Sequence, residues 1–234
     1  MLTISVPHLL ESVMDRQSAE KIMTSTGWLS RQPAEFQREV LGRSILRRHP
    51  VGRVLYDLDD GGSGVFGLVE GLLEVQLPNG RIATVGSSGY WIGEAAAFRR
   101  APRRAALVAK SEVWFFYLPL AEFETVTANP DHCRRFAHLT IEHLEDALRV
   151  IASLMPNDVV ARVAGRLLSL SIAQPRAGSE IQVTQGDLAS MCGLSRQSVN
   201  KALRRLIEEG AVSASYGKVT VVDRDKLRRL AGGE

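Results

Sequence analysis

From about Ile45 to Leu118 the chain runs in short stretches rich in Val, Ile, Leu and aromatic residues, each closed by a turn signal: VGRVLYDLDDGGSG, VFGLVEGLLEVQLPNGR, IATVGSSGYWIG and AALVAKSEVWFFYL. Side chains alternate between the two faces of a strand, so repeated short runs of this kind predict a β-sandwich or barrel of jelly-roll character. Pro78-Asn79-Gly80 predicts a hairpin, because Asn and Gly accept the positive φ that tight turns require. Asp60 to Gly64 reads as a turn, and a helical stretch from roughly Ser30 to Ser44 precedes the strands.

After Asn129-Pro130 the period changes. Ala137, Ile141, Leu144, Leu148, Ile151 and Met155 recur at alternating spacings of four and three, the seam of a coiled coil. The same pattern also suits one amphipathic helix lying on its own β-domain. Its place between a β-domain and a DNA-binding motif that works in pairs favours a dimer interface. Pro156 breaks the helix. The fold class expected is therefore α+β, divided into a jelly-roll-like β-roll (1–130), a long helix (131–156) and a C-terminal unit (157–234).

The segment TQGDLASMCGLSRQSVNKALRRLIEEG, Thr184 to Gly210, gives that last assignment its content. Thr184 with Asp187 three residues on is a capping box, opening a helix of about eight residues. Gly193 supplies a sharp turn and Leu194 an anchor. Ser195 caps a second helix whose Val199, Leu203 and Leu206 face inward. The other face carries Arg196, Gln197, Asn200, Lys201 and Arg204. Near the start of such a helix, Arg bonds guanine and Gln or Asn bonds adenine in the major groove, which marks Arg196, Gln197 and Asn200 as base readers. Lys201, Arg204 and Arg205 suit phosphates. AVSASYGKVTVV then predicts a hairpin wing turning at Tyr216-Gly217, with Lys218 at its tip as a backbone contact, and Asp223 caps a last short helix.

Charge adds to this reading. From Pro156 onward there are 12 Lys and Arg against 8 Asp and Glu, whereas the first 155 residues carry 17 against 18, so the positive excess lies in the DNA-binding third. Hydrophobic residues at 45% and charged residues at 24% describe a globular chain. No apolar run approaches the roughly 18 residues of a membrane span, and the N-terminus lacks the features of a signal peptide, so a cytoplasmic protein with no membrane partner is expected. Cys133 and Cys192 are too few for a disulfide framework or an iron–sulfur cluster and are expected to be buried. No metal site is expected. His8, His49, His132, His138 and His143 have no evident pairing that would make a haem site. A Gly-rich nucleotide loop, metal-spaced ligands and a nucleophile motif are all lacking, so no catalytic residue and no enzyme is expected.

This plan resembles the Crp/Fnr family of bacterial transcription regulators over nearly the whole chain. The likeness rests first on the segment from Thr184 to Gly210, and second on GYWIGEAAAFRRAPRRAALVAK, which is similar to the phosphate cassette of cyclic-nucleotide-binding domains. The resemblance implies an effector site at Gly93, Glu94 and the Ala95 N–H, with Arg103 as the phosphate arginine and Arg104 as the alternative if the loop shifts by one. Where cyclic-AMP-responsive members carry hydroxyls, this chain has Arg104, Ala147 and Leu148. The effector implied is a small anion of unknown identity, with cyclic AMP a poor ligand. A vestigial pocket, with Glu94 and Arg103 in a structural ion pair and constitutive DNA binding, is the alternative. The partners implied are an inverted-repeat DNA operator, a second copy of the chain and RNA polymerase.

Overall fold

The computed structural model describes residues 14–61, 63–174 and 180–232, and for 172 and 173 only the backbone. Gly62, within the expected turn at 60–64, and His8 lie outside the described residues.

Three helices open the chain: α1 (Arg16–Ser25), α2 (Gly27–Ser30) and α3 (Ala34–Arg43). The expected helix from Ser30 to Ser44 is α3 alone, starting after Pro33, which holds an extended φ/ψ of −58° and 145°. The two helices ahead of it were not anticipated. Asp15 caps α1 by accepting from the Ser18 N–H at 2.9 Å. Trp28 of α2 reaches the sandwich core, stacking edge-on to Phe36 and Trp91.

The β-roll is two four-stranded antiparallel sheets. One has the order β1 (Ile45–His49), β8 (Val113–Pro119), β3 (Gly64–Glu70), β6 (Trp91–Ile92). The other has β2 (Val54–Tyr56), β7 (Ala106–Ala109), β4 (Leu73–Gln76), β5 (Ile82–Gly86). β3 is buried over six consecutive residues because it lies between neighbours and under helices. The β4–β5 hairpin turns at Pro78–Gly80 as its sequence predicts, the Arg81 N–H donating to Asn79 Oδ1 at 3.1 Å. Between β6 and β7 sits a short helix, α4 (Glu94–Arg99), and α5 (Leu120–Thr127) follows β8.

The long helix α6 spans Pro130–Leu154, with Asn129 as N-cap and Pro130 in the first turn, where its missing N–H costs nothing. Met155 is its C-cap. Phe136 and Leu139 are its buried anchors on the β-roll. The face predicted as a seam is open: Ile141, Leu144, Leu148, Ile151 and Met155 are more than half exposed, and Ala137 is half-buried.

Asp158 caps α7 (Val159–Ala173), the first helix of the C-terminal unit. There follow β9 (Glu180–Gln182), α8 (Gln185–Cys192), α9 (Arg196–Glu208), β10 (Val212–Ser215), β11 (Lys218–Val221) and α10 (Arg224–Leu230). The wing is a three-stranded sheet, β10-β11-β9, one strand more than its sequence suggests. Val163, Leu167 and Leu170 of α7 pack with Leu188 of α8 and with Val199 and Leu206 of α9. Val85 of β5 belongs to this same core, so the C-terminal unit docks on the β4–β5 hairpin. Polar contacts reinforce the docking. Lys110 at the end of β7 bridges Glu74 (2.6 Å) and Asp187 of α8 (2.7 Å), and Ser190 accepts from the Ile82 N–H at 3.1 Å. Among the described residues no helix is long and apolar enough to cross a membrane.

Candidate functional site

The helix-turn-helix forms as its local signals dictate. Thr184 and Asp187 make the reciprocal capping box, the Thr184 N–H donating to the carboxylate at 2.7 Å and the Asp187 N–H to the hydroxyl at 3.1 Å. Gly193 ends α8 at φ 65°, a conformation strained for any residue with a Cβ. Ser195 caps α9, accepting from the Ser198 N–H at 3.1 Å. Val199, Ala202, Leu203 and Leu206 are buried, which fixes the opposite face outward.

On that face Arg196, Gln197, Lys201, Arg204 and Arg205 are exposed, and Asn200 is half-buried with an Oδ1 that has no partner. The Arg196 guanidinium lies close to Gly186, where a Cβ would stand 3.0 Å from it. Arg205 is ion-paired to Glu209 at 2.6 Å. The tip of the wing is Tyr216, fully exposed. The hairpin turns at Tyr216-Gly217 as expected, and Lys218, exposed, opens β11 directly after the turn and pairs with Glu180 at 2.9 Å.

The second feature is a cavity of about 750 Å³ between the β-roll, α6 and the C-terminal unit. Gly93, Glu94, Ala95, Arg103, Arg104 and Ala147 all line it; Leu148, 57% exposed on α6, does not. The lining also holds Tyr56, Tyr90, His143, Leu144 and Ile151, and from the C-terminal unit Arg166, Ser169 and Met191.

Glu94 opens α4 after Gly93, whose φ of 114° only glycine adopts readily. A Cβ on Gly93 would stand 2.8 Å from the Arg103 guanidinium, so the glycine makes room for that side chain. Glu94 is 1% exposed and accepts from His143 Nδ1 of α6 at 2.9 Å, while its Oε2 has no partner. Burial opposes the imidazolium, but the hydrogen bond and charge of Glu94, with Asp146 and Glu142 nearby, outweigh it and hold the His143 pKa above its ordinary value. Arg103 is also buried. Its terminal nitrogens donate to the carbonyls of Gly93 (2.9 Å) and Gly64 (2.6 Å), and the guanidinium lies 4.3 Å from the centre of the Tyr56 ring. The structural ion pair between Glu94 and Arg103 does not form: the carboxylate has His143 and the guanidinium has carbonyls. Burial pushes the Tyr56 and Tyr90 hydroxyls up and Arg103 down, all three marking a poorly solvated interior.

Of the remaining histidines, His49 stacks on Phe115 and His132 on Phe36. Among the described residues no group of three or more His, Cys, Asp or Glu is placed to hold a metal ion. Cys192 is buried, its thiol pushed up to about 11 by desolvation, whereas Cys133 is half-exposed, contrary to expectation. Sequence reasoning missed His143 as the partner of Glu94, and it missed Arg166 altogether.

Residues 46–129 match the cyclic nucleotide-binding domain, and residues 161–230 match the Crp-like helix-turn-helix domain. The chain is 30% identical over 148 residues to a cAMP-activated global transcriptional regulator CRP of Pasteurella multocida, covering 60% of this chain and 70% of that one. A CRP-family transcriptional regulator of Thermus thermophilus superposes with a TM-score of 0.60 at 25% identity, over 80% of this chain and 97% of the other. FixK2 of Bradyrhizobium japonicum shares the fold at a TM-score of 0.68 and 19% identity, over 80% of this chain and 96% of the other.

Proposed function

Because the chain belongs to the Crp/Fnr family of transcription regulators, we propose that it acts in the cytoplasm as a homodimer on an inverted-repeat operator, its DNA affinity set by what occupies the cavity beside α6. The observation that carries this reading is the cavity's lining: Glu94 and Arg103 of the sensor share one space with Arg166, Ser169 and Met191 of the DNA-binding unit. An occupant that touches both units favours one arrangement of them over another, and differential contact of that kind is what shifts a conformational equilibrium.

The open stripe on α6 is the dimer surface. Its residues from Ile141 to Met155 are more than half exposed although Leu144 and Ile151 also edge the cavity, and an exposed apolar band of this kind marks an interaction site. Two copies joined along it present two α9 helices to successive major grooves. There Arg196, Gln197 and Asn200 address base edges, while Lys201, Arg204, Arg205 and, on the wing, Lys218 address phosphates. RNA polymerase is the further partner at a promoter.

The effector is a small anion-bearing molecule, and cyclic AMP is a weak one. Ala147 and Arg104 bring no hydroxyl to the cavity, and both terminal nitrogens of Arg103 are occupied by carbonyls. Selection of bound sites from random duplexes tests the DNA side. The reading requires paired half-sites about 34 Å apart along the helix, bound by two copies. A single unpaired site bound by one copy would refute it.

A further inference from the structure

Arg166, in the middle of α7, is 1% exposed. One of its terminal nitrogens donates to the Ala83 carbonyl of β5, while Nε and the other terminal nitrogen are buried with no partner. Burial pulls its pKa down to about 10, so it is still a cation at neutral pH. The ionisable group beside it is Cys192, whose thiol is pushed up to about 11 and is therefore neutral. A buried guanidinium with two idle donors and no counter-ion among the described residues is costly unless an anion completes it.

Both Arg166 and Ala83 line the cavity that holds Glu94, and Leu144, Ala147, Val150 and Ile151 of α6 supply apolar wall to the same space. At the sensor end Glu94 Oε2 is an acceptor with nothing to accept, and Arg103 keeps only its Nε unpartnered, because carbonyls hold both of its terminal nitrogens, whereas Arg166 has Nε and a terminal nitrogen idle. We propose that Arg166 is the anion-binding end of this cavity. Its ligand carries an acidic headgroup, carboxylate or phosphate, on an apolar body, with a hydroxyl or amine at the far end donating to Glu94. The headgroup would complete Arg166, the body would cover the α6 wall, and the molecule would tie α7 directly to the sensor. This rests on the reading that the cavity holds the effector, and it moves the acid from Arg103 to a residue of the DNA-binding unit.

The test uses the full chain and simple probes: decanoate and decyl phosphate as the two acids, with 1-decanol as their uncharged counterpart, titrated by calorimetry. The wild type should bind the better acid about tenfold more tightly than the alcohol, the worth of a charge-assisted contact. Arg166→Gln, which keeps a donor for Ala83 but no charge, should bring that ratio close to one, with Arg166→Met as the second variant should the first fold poorly. Arg103→Gln should leave the ratio intact. A ratio that survives in the Arg166 variants and collapses in Arg103→Gln would overturn this inference and leave the cavity reading standing. Equal affinity for acid and alcohol in the wild type would do the same. No binding of any probe by the wild type would overturn both. A further gain for 10-hydroxydecanoate over decanoate that disappears in Glu94→Gln would support the polarity assigned to the two ends.

Discussion

Leu148 allows the proposed dimer surface to be tested apart from the cavity. It is 57% exposed, belongs to the α6 stripe and does not line the cavity. At that exposure it presents on the order of 100 Å² of apolar surface, worth about 2.5 kcal/mol when covered at ~25 cal/mol per Å². A two-fold axis counts the loss twice, so Leu148→Glu should remove about 5 kcal/mol of association energy, a rise of between 10³- and 10⁴-fold in the dimer dissociation constant. Two carboxylates brought together across the axis would add to this. Sedimentation equilibrium should show a dimer for the wild type and monomer for the variant at micromolar concentration, with specific DNA affinity falling in step. The isolated protomer should melt as before, because the side chain packs little within it. A variant that stays dimeric, or one whose protomer unfolds, would show that the stripe packs some other way.

Arg196→Ala should weaken operator binding by about 1 to 3 kcal/mol and relax one base position in each half-site, read by site selection, whereas Lys218→Ala should weaken all sequences alike and flatten the salt dependence. An unchanged selected site for Arg196→Ala would displace α9 from the groove. Lys110→Met removes the bridge from Glu74 to Asp187 and should loosen the C-terminal unit from the hairpin, seen as faster amide exchange along β5 and α8; unaltered exchange would make the bridge incidental. Because the folded pKa of His143 lies above its ordinary 6.5, its contribution to stability is full below about that value and is lost as pH rises through the folded pKa. The melting-temperature gap between wild type and His143→Gln should therefore narrow with rising pH across that window, and a gap independent of pH would contradict the Glu94 pairing.

Local signals were legible in the sequence. The capping box at Thr184 and Asp187, the turn at Gly193 and the cap at Ser195 each act within four residues, so spacing alone placed α8 and α9. The α6 stripe and the Pro78–Gly80 hairpin were legible for the same reason. Contacts set by the tertiary fold were not. His143 and Glu94 are 49 residues apart and meet only because α6 lies across the β-roll. Arg166 sits 83 residues from the carbonyl it bonds, and a lone Arg on an amphipathic helix gives no hint of burial. Leu148 could be assigned to cavity or seam by counting, and only the helix's rotation decides for the seam. α1 and α2 escaped notice because their order comes from Asp15 and from Trp28 in the sandwich core, not from a long apolar period.

If the state of the cavity governs DNA binding, filling the space changes operator affinity whatever the effector is. Ala105→Trp, on the sensor wall, and Ala147→Trp, on α6, each place an indole in the cavity that both units line. The measurement is the operator dissociation constant of each variant beside the wild type, with dimerisation checked by sedimentation. Coupling typical of such proteins is about 1 to 3 kcal/mol, so the account predicts a change of at least about fivefold, in either direction, with both variants still dimeric. Dimeric variants that bind the operator with wild-type affinity would show that cavity and DNA-reading helices are uncoupled, and that the protein binds its operator constitutively.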